Sequence, residues 1–388
     1  MKIGMPREIK AGEDRVVFTP IETAELVGDG HCVLIETEAG LKAGFTDKEY
    51  IEAGAQIRVK IDEIFKEADF IVKVKEISPE EYELLRENQI VFACLHPASN
   101  REEVDVLIKK KVIALTAEDS HRYGSPNCEV AGKLGALMGA YHLLSINGGN
   151  GQLICGIGGA SGANVLVLGA GIVGKAATEI VSALGADVTL MDINIGALRH
   201  CQEIFPKNVN TMISNQQSIK KVLQDIDLVI NCVKWPKHRK DHLITRDMLK
   251  IMKKGSVIVD ISADVGGAIE TYKPTTHADP TYVLDGVVHY GVDNIPGAAP
   301  HTASKAYAAA VLPHIRSIAN NGVAEACRRD GYLRRSLTVY KGILTHEETC
   351  VVQSREFTFP EEALGLTDPN DLDFVPNATT TKLPMKMS

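Results

Sequence analysis

The sequence predicts an α/β protein of two doubly wound domains with parallel sheets, the second inserted into the first and joined to it by connecting helices. Three observations carry this reading. Short apolar stretches alternate with helical stretches in two separate series along the 388 residues. The second series opens on a glycine-rich turn between an apolar strand and a helix. Long helical segments precede and follow that series. A chain of this length can bury two cores.

The first series, up to about residue 125, predicts strands at 2–5, 32–36, 70–73, 90–93 and 112–114, with helices such as 20–28 and 102–110. A long helix follows at 129–144 and ends at the turn-rich stretch 147–151. The second series predicts strands at 165–168, 188–191, 228–232 and 256–260, with helices at 173–184, 196–204 and 245–252. A last strand is expected at 287–290, and beyond it the alanine-rich stretch 302–334 reads as helix. The economical arrangement is a domain of 1–127 with 300–388 that carries an inserted domain of 128–299. Substrate is then expected in the crevice at the carboxyl ends of both sheets. The tail after about Asp368 is polar and reads as disordered.

The glycine-rich turn carries the clearest chemistry. Val165-Leu-Val-Leu-Gly169-Ala-Gly171-Ile-Val-Gly174 lies between strand and helix, and Asp192 ends the next strand. Gly169 permits the tight turn, Gly171 lets backbone approach a pyrophosphate, and Gly174 lets helix pack on strand. Phosphate charge meets the unpaired N–H groups of the helix start, which makes Ile172 and Val173 contacts as well. Asp192 suits two ribose hydroxyls and would repel a 2′-phosphate, so the expected cofactor is NAD rather than NADP. Cys232 and Val233, at the end of the next strand, are further candidate cofactor contacts. The domain is therefore expected to be Rossmann-like.

Bulk properties exclude other classes. Net charge is −8, which argues against a nucleic-acid surface. The run 130–146 is interrupted by Gly132, Lys133, Gly135, Gly139 and His142, so no membrane span is expected. The eight cysteines show no CxxC pair and no zinc spacing, so no metal is expected. They read as reduced thiols of a cytoplasmic protein.

Titratable residues sit beside strand ends in the first series. Arg15 follows the loop Ala11-Gly-Glu-Asp, Lys75 ends an alternating run, and His96 lies just past a strand with Pro97 behind it. Singly, each has a structural explanation: Arg15 paired with Glu13, Lys75 a solvated edge charge, His96 a loop histidine. Asp264, after the strand and before Gly266-Gly267, is alone most simply a turn residue.

Together with the nucleotide motif, these positions resemble the alanine dehydrogenase family, which shares its fold with the NAD-binding subunit of transhydrogenase. The resemblance runs over roughly residues 1–350. It includes Gly4-Met-Pro-Arg-Glu-Ile-Lys10, Val72-Lys-Val-Lys-Glu76, Leu95-His96, Glu129-Val-Ala-Gly132, Gly266-Gly267, His277 and Asn294-Ile-Pro-Gly297. It implies an NAD-dependent amino-acid dehydrogenase that converts a small L-amino acid to a 2-oxo acid and ammonia, or the reverse. By the same resemblance, Arg15 and Lys75 hold the substrate carboxylate and His96 is the acid/base. Asp264 is the second catalytic residue, a carboxylate near the nicotinamide that helps arrange water or polarise His96; Asn294 stands beside the nicotinamide end, and the working form is a homo-oligomer, a hexamer or dimer.

The chain also departs from the family. Cys94 replaces a tyrosine two residues before the histidine, and Asn127 replaces a methionine in the segment Pro126-Asn-Cys-Glu129. These changes are expected to open and polarise the substrate pocket. That leaves open a larger or polar amino acid, an opine-type synthase in which an amine replaces ammonia, or a transhydrogenase-like NAD-binding subunit. The basic loop 234–242 reads as a solvated loop, with Trp235 a candidate shield over the site.

Overall fold

The structure, a computed structural model, describes residues 1–236, 239–368 and 371–373. The chain forms two compact units, one of 1–126 with 299–388 and one of 127–298.

In the first unit, β1 (Lys2–Met5), β2 (Cys32–Glu36), β3 (Gln56–Arg58), β4 (Phe70–Lys75), β5 (Ile90–Cys94) and β6 (Ile113–Thr116) pair in parallel. Alternate residues serve opposite faces, as period-two geometry requires. Ile3, Val33, Ile35, Phe70, Val72 and Phe92 enter one core cluster; Leu34, Ile71, Val91 and Ala93 enter another. Helices therefore cover both faces, which is why these strands read as continuous apolar runs.

The second unit follows the same rule. β7 (Asn164–Leu168), β8 (Asp187–Asp192), β9 (Val209–Ile213), β10 (Leu228–Asn231), β11 (Val257–Asp260) and β13 (Val287–Tyr290) are parallel, and β12 (Thr281–Leu284) runs antiparallel along β13. The strand order is β12-β13-β11-β10-β7-β8-β9. Order reverses between β7 and β10, the switch point where such sheets take ligands.

Four expectations need correction. The strand 287–290 is not the last: β14 (Leu337–Tyr340) returns antiparallel to β6, and β15 (Ile343–Leu344) pairs antiparallel with β14 to complete the first sheet. The stretch 302–334 is three helices, Pro300–Asn321, Val323–Arg329 and Gly331–Ser336, because Gly322 takes φ 79° and breaks the run. The expected helix 245–252 shrinks to Arg246–Leu249. Within the tail, Asp371 accepts from Arg328 (2.6 Å) and the Asp373 carbonyl from Arg334 (2.6 Å), so this short piece is packed. The remainder of the expected disordered tail lies outside the described residues.

The connecting helix spans Pro126–His142. Its glycines allow close approach to the second sheet. A Cβ at Gly132 would lie 2.3 Å from the Val173 carbonyl oxygen, one at Gly135 2.5 Å from Ile261, and one at Gly139 2.8 Å from Leu228. No helix among the described residues is long and apolar enough to cross a membrane.

Candidate functional site

Neighbouring strand ends of the first unit bring one cluster of candidate residues together. β5 and β6 are in register at Ala93 and Thr116, so the residues two positions past each strand emerge side by side. These are His96 and Glu118. The His96 backbone N–H donates to Glu118 Oε1 at 2.8 Å, and its Nδ1 lies 3.2 Å from the same oxygen. His96 holds φ 46°, a left-handed conformation that is strained for a side chain of this kind. The two bonds to Glu118 offset that strain and set Nδ1 toward its carboxylate. Glu118 Oε2 is buried and has no hydrogen-bond partner.

Lys75 ends β4 opposite Cys94 of β5. Arg15 reaches the same region from the loop before the helix Pro20–Gly28, with Val16 N–H donating to Ser304 of the helix Pro300–Asn321. The Arg15 guanidinium is 3% exposed and held by Glu13, Nε to Oε1 at 2.7 Å and Nη2 to Oε2. The Cys94 thiol joins these groups. Burial, with Glu118 adding to the rise, pushes it up to about 12 against the opposing effects of Tyr307, Lys75 and Arg15. Arg15, Lys75, Cys94 and the Glu118–His96 pair thus share one neighbourhood.

Cys94 packs against an aromatic side chain. The thiol is buried and the Tyr307 hydroxyl sits 3.5 Å from its sulfur, so a phenol from the helix Pro300–Asn321 occupies space that a shorter side chain would vacate. Sequence reasoning missed Glu118 and Tyr307. Glu118 was discoverable, since it stands as far past its strand as His96 does. Tyr307 lies about 200 residues from the groups it touches and left no local signal.

A separate cluster of candidate residues lies in the unit 127–298. Gly169 takes φ 97°, and Gly171 caps the helix Ile172–Ala183 without a side-chain hydrogen bond. The N–H groups of Ile172 and Val173 therefore start the helix without a side-chain cap. A Cβ at Gly174 would come within 1.7 Å of the Gly169 carbonyl oxygen, so this glycine closes the turn itself as well as admitting the helix. A Cβ at Gly171 would meet nothing within 4 Å, and the turn therefore leaves room for a phosphate group. Asp192 braces the turn by accepting from Ala170 N–H at 2.6 Å and Asn194 N–H at 2.7 Å. A carboxylate offers about four lone-pair sites, which leaves acceptor capacity for ribose hydroxyls. Cys232 donates its N–H to Leu168, and Val233 Cγ2 would lie 3.2 Å from a Cβ at Gly169. Both residues line the turn. These residues fit the pyrophosphate and ribose of NAD.

Past β11, Ala263 at φ 54° introduces Asp264, whose carbonyl accepts from Gly267 N–H at 2.8 Å. Asp260 Oδ1 ties this turn down, accepting from Ser262 and Ala263 N–H groups and from Asn231 Nδ2 at 2.8 Å. Asn294 is buried, and its carbonyl meets His277 Nε2 at 2.9 Å. Asn127 is half-buried, with Oδ1 lacking a partner. Trp235 is buried under the Arg239 guanidinium, 4.1 Å from its ring centroid, and Arg239 pairs with Asp241. Lys237 and His238 of the basic loop lie outside the described residues.

Family models for the N-terminal and C-terminal domains of alanine dehydrogenase/PNT match residues 4–125 and 135–347. The chain belongs to the alanine dehydrogenase/PNT family. A curated relative, alanine dehydrogenase 2 of Staphylococcus aureus, is 41% identical over 373 residues, covering 94% of this chain and all of the relative. A solved L-alanine dehydrogenase aligns at TM-score 0.85 and 38% identity, over 91% of this chain and 99% of that one. A transhydrogenase structure from Sinorhizobium meliloti aligns at TM-score 0.75 over 89% of this chain and 99% of that one; at 23% identity it shares the fold of the alanine dehydrogenase/PNT family.

Proposed function

We propose that the chain is an NAD-dependent amino-acid dehydrogenase that converts a small, alanine-like L-amino acid to a 2-oxo acid and ammonia, and runs the reverse reductive amination. The carrying observation is the convergence of Arg15, Lys75 and the Glu118–His96 pair about one buried thiol in a member of this family. Arg15 and Lys75 grip the substrate carboxylate. Glu13 fixes the guanidinium beforehand, so little side-chain freedom is lost on binding. The 169–174 turn and Asp192 would hold NAD, which would supply the hydride acceptor for oxidation at the amino-acid Cα.

His96 moves the protons. With Nδ1–H directed at Glu118, the neutral ring keeps its lone pair on Nε2. Nε2 takes a proton from the water that adds to the substrate iminium and returns it to the departing amine. Asp264 and Asn294 serve the nicotinamide end, Asp192 the ribose, and Cys232 and Val233 the wall of the cofactor turn. Cys94 and Asn127 are the proposed contacts of the substrate side chain. The working form is a homo-oligomer in the cytoplasm.

Turnover followed by NADH absorbance tests this reading across L-alanine and larger or charged amino acids, and across 2-oxo acids with ammonia or primary amines. L-alanine and its 2-oxo acid with ammonia are expected to be preferred. Replacing His96 by Ala is expected to lower kcat by about a hundredfold or more with NADH affinity retained. A wild-type enzyme inert toward every amino acid, or an unimpaired H96A enzyme, would refute it.

A further inference from the structure

The polar core behind Lys75 has no part in the steps above, yet it shapes the backbone that carries Lys75. Along β4 and β5, Val72 pairs with Phe92 and the next pair is Lys75 with Cys94, so Lys73 and Val74 together face the single residue Ala93. This bulge bends the strand and withdraws amides from the ladder. Glu8 receives them. It stands three residues past β1, which is hydrogen-bonded to β4, and its Oε1 accepts from Val74 N–H at 2.6 Å and Lys75 N–H at 3.3 Å.

The other oxygen is idle. Glu8 Oε2 is buried without a hydrogen-bond partner, 3.8 Å from Lys73 Nζ. Lys73 is itself committed to both oxygens of Glu81, at 2.6 and 2.5 Å. One buried ammonium therefore faces two buried carboxylates, with Glu13, the anchor of Arg15, as a third charge acting on Glu8. Burial pushes Glu8 up to about 7, against the pull of Lys73. When ionised, the carboxylate holds these two amides by charge-assisted bonds, roughly twice as strong as those a neutral acceptor would make, so the bulge is fixed more firmly than a neutral cap would fix it.

We propose that Glu8 is a positioning residue for Lys75: by taking both amide hydrogens of the bulge it fixes the backbone from which the Lys75 ammonium reaches the substrate carboxylate. It touches no substrate and acts only through Lys75. The proposal rests on the reading of Lys75 as part of the carboxylate grip.

Steady-state kinetics of E8Q, K75A and the double variant test it. E8Q keeps the size of the side chain but replaces a charged acceptor by a neutral one, and it sets an amide NH2 toward Lys73. It is expected to raise KM for the 2-oxo acid about tenfold, the loss of a charge-assisted bond, with kcat within about threefold and NADH affinity unchanged. In the double variant KM should equal that of K75A alone, because Glu8 has nothing left to position. A purely structural role predicts multiplying effects and a matching loss in kcat, and either would overturn the proposal. Wild-type KM in E8Q beside a raised KM in K75A overturns it while leaving the role of Lys75 intact. Wild-type KM in K75A overturns the carboxylate grip, and the proposal with it. Should E8Q fail to fold, E8D carries the same test, since it keeps the charge and shortens the reach by one methylene.

Discussion

A single carboxylate oxygen organises the candidate acid/base: Glu118 Oε1 holds both the backbone and the ring of His96. Asp260 does comparable work beneath Asp264, at greater expense. Burial pushes Asp260 up to about 7, against the Asn231 side chain and the amides of Ala263 and Ser262, while Asp264 adds to the rise. The sign of the pH effect follows. Below the ordinary value of 3.8 folded and unfolded chains both hold the proton, and the contribution to stability is fully present. As pH rises toward 7 the unfolded chain releases its proton first, so stability falls by up to about 1.4 kcal/mol per pH unit. Asp260→Asn cannot ionise and is expected to flatten that fall in urea midpoints between pH 5 and 7.5. An unchanged slope would place the burden on other groups. At this scale the sequence exposed what strand-end logic can reach, His96 and Lys75 among them. Asp260 reads as one more strand residue, and only the packed fold shows that its carboxyl is submerged.

The connecting helix shows how an element can look weak in sequence and pack tightly in space. Its glycines interrupt an apolar run, yet each stands where a methyl group would collide with the second sheet or its first helix. Gly132→Ala is expected to lower stability by about 1–3 kcal/mol, because the neighbours are the Val173 backbone and Ala176 Cβ rather than a flexible chain end. Thermal unfolding measures this, and a Tm equal to wild type would show that the two helices can part at little cost. Central strands were legible because both faces are buried and the apolar run is unbroken. The edges were not: β3 is three residues long, β9 is mostly exposed, and β12 has no fully buried residue, so none carries the pattern that marks a strand. β14 and β15 were hidden for another reason, since the strand that joins this hairpin to the sheet, β6, lies more than 200 residues earlier.

Each unit of the molecule has cores on both faces of its own sheet. The turn at 169–174 and Asp192 both belong to the unit 127–298. NADH is therefore expected to slow amide hydrogen exchange around Gly169–Lys175 and β8, and to leave β1 and the β2 ladder at their unliganded rates. Mass-spectrometric exchange reads this directly; equal protection of both sheets would mean that the coenzyme stabilises the chain as one cooperative body.

The return of β14 to β6 also sets an order of events during synthesis. The inserted unit is complete once residue 298 has left the ribosome. The other unit must wait for Tyr307, Ile315 and Leu337 to fill its core and for β14 to extend its sheet. The half of the protein that begins first thus matures last. Until then its nascent strands, with β6 still an open rim, are the surface that a chaperone has to shelter.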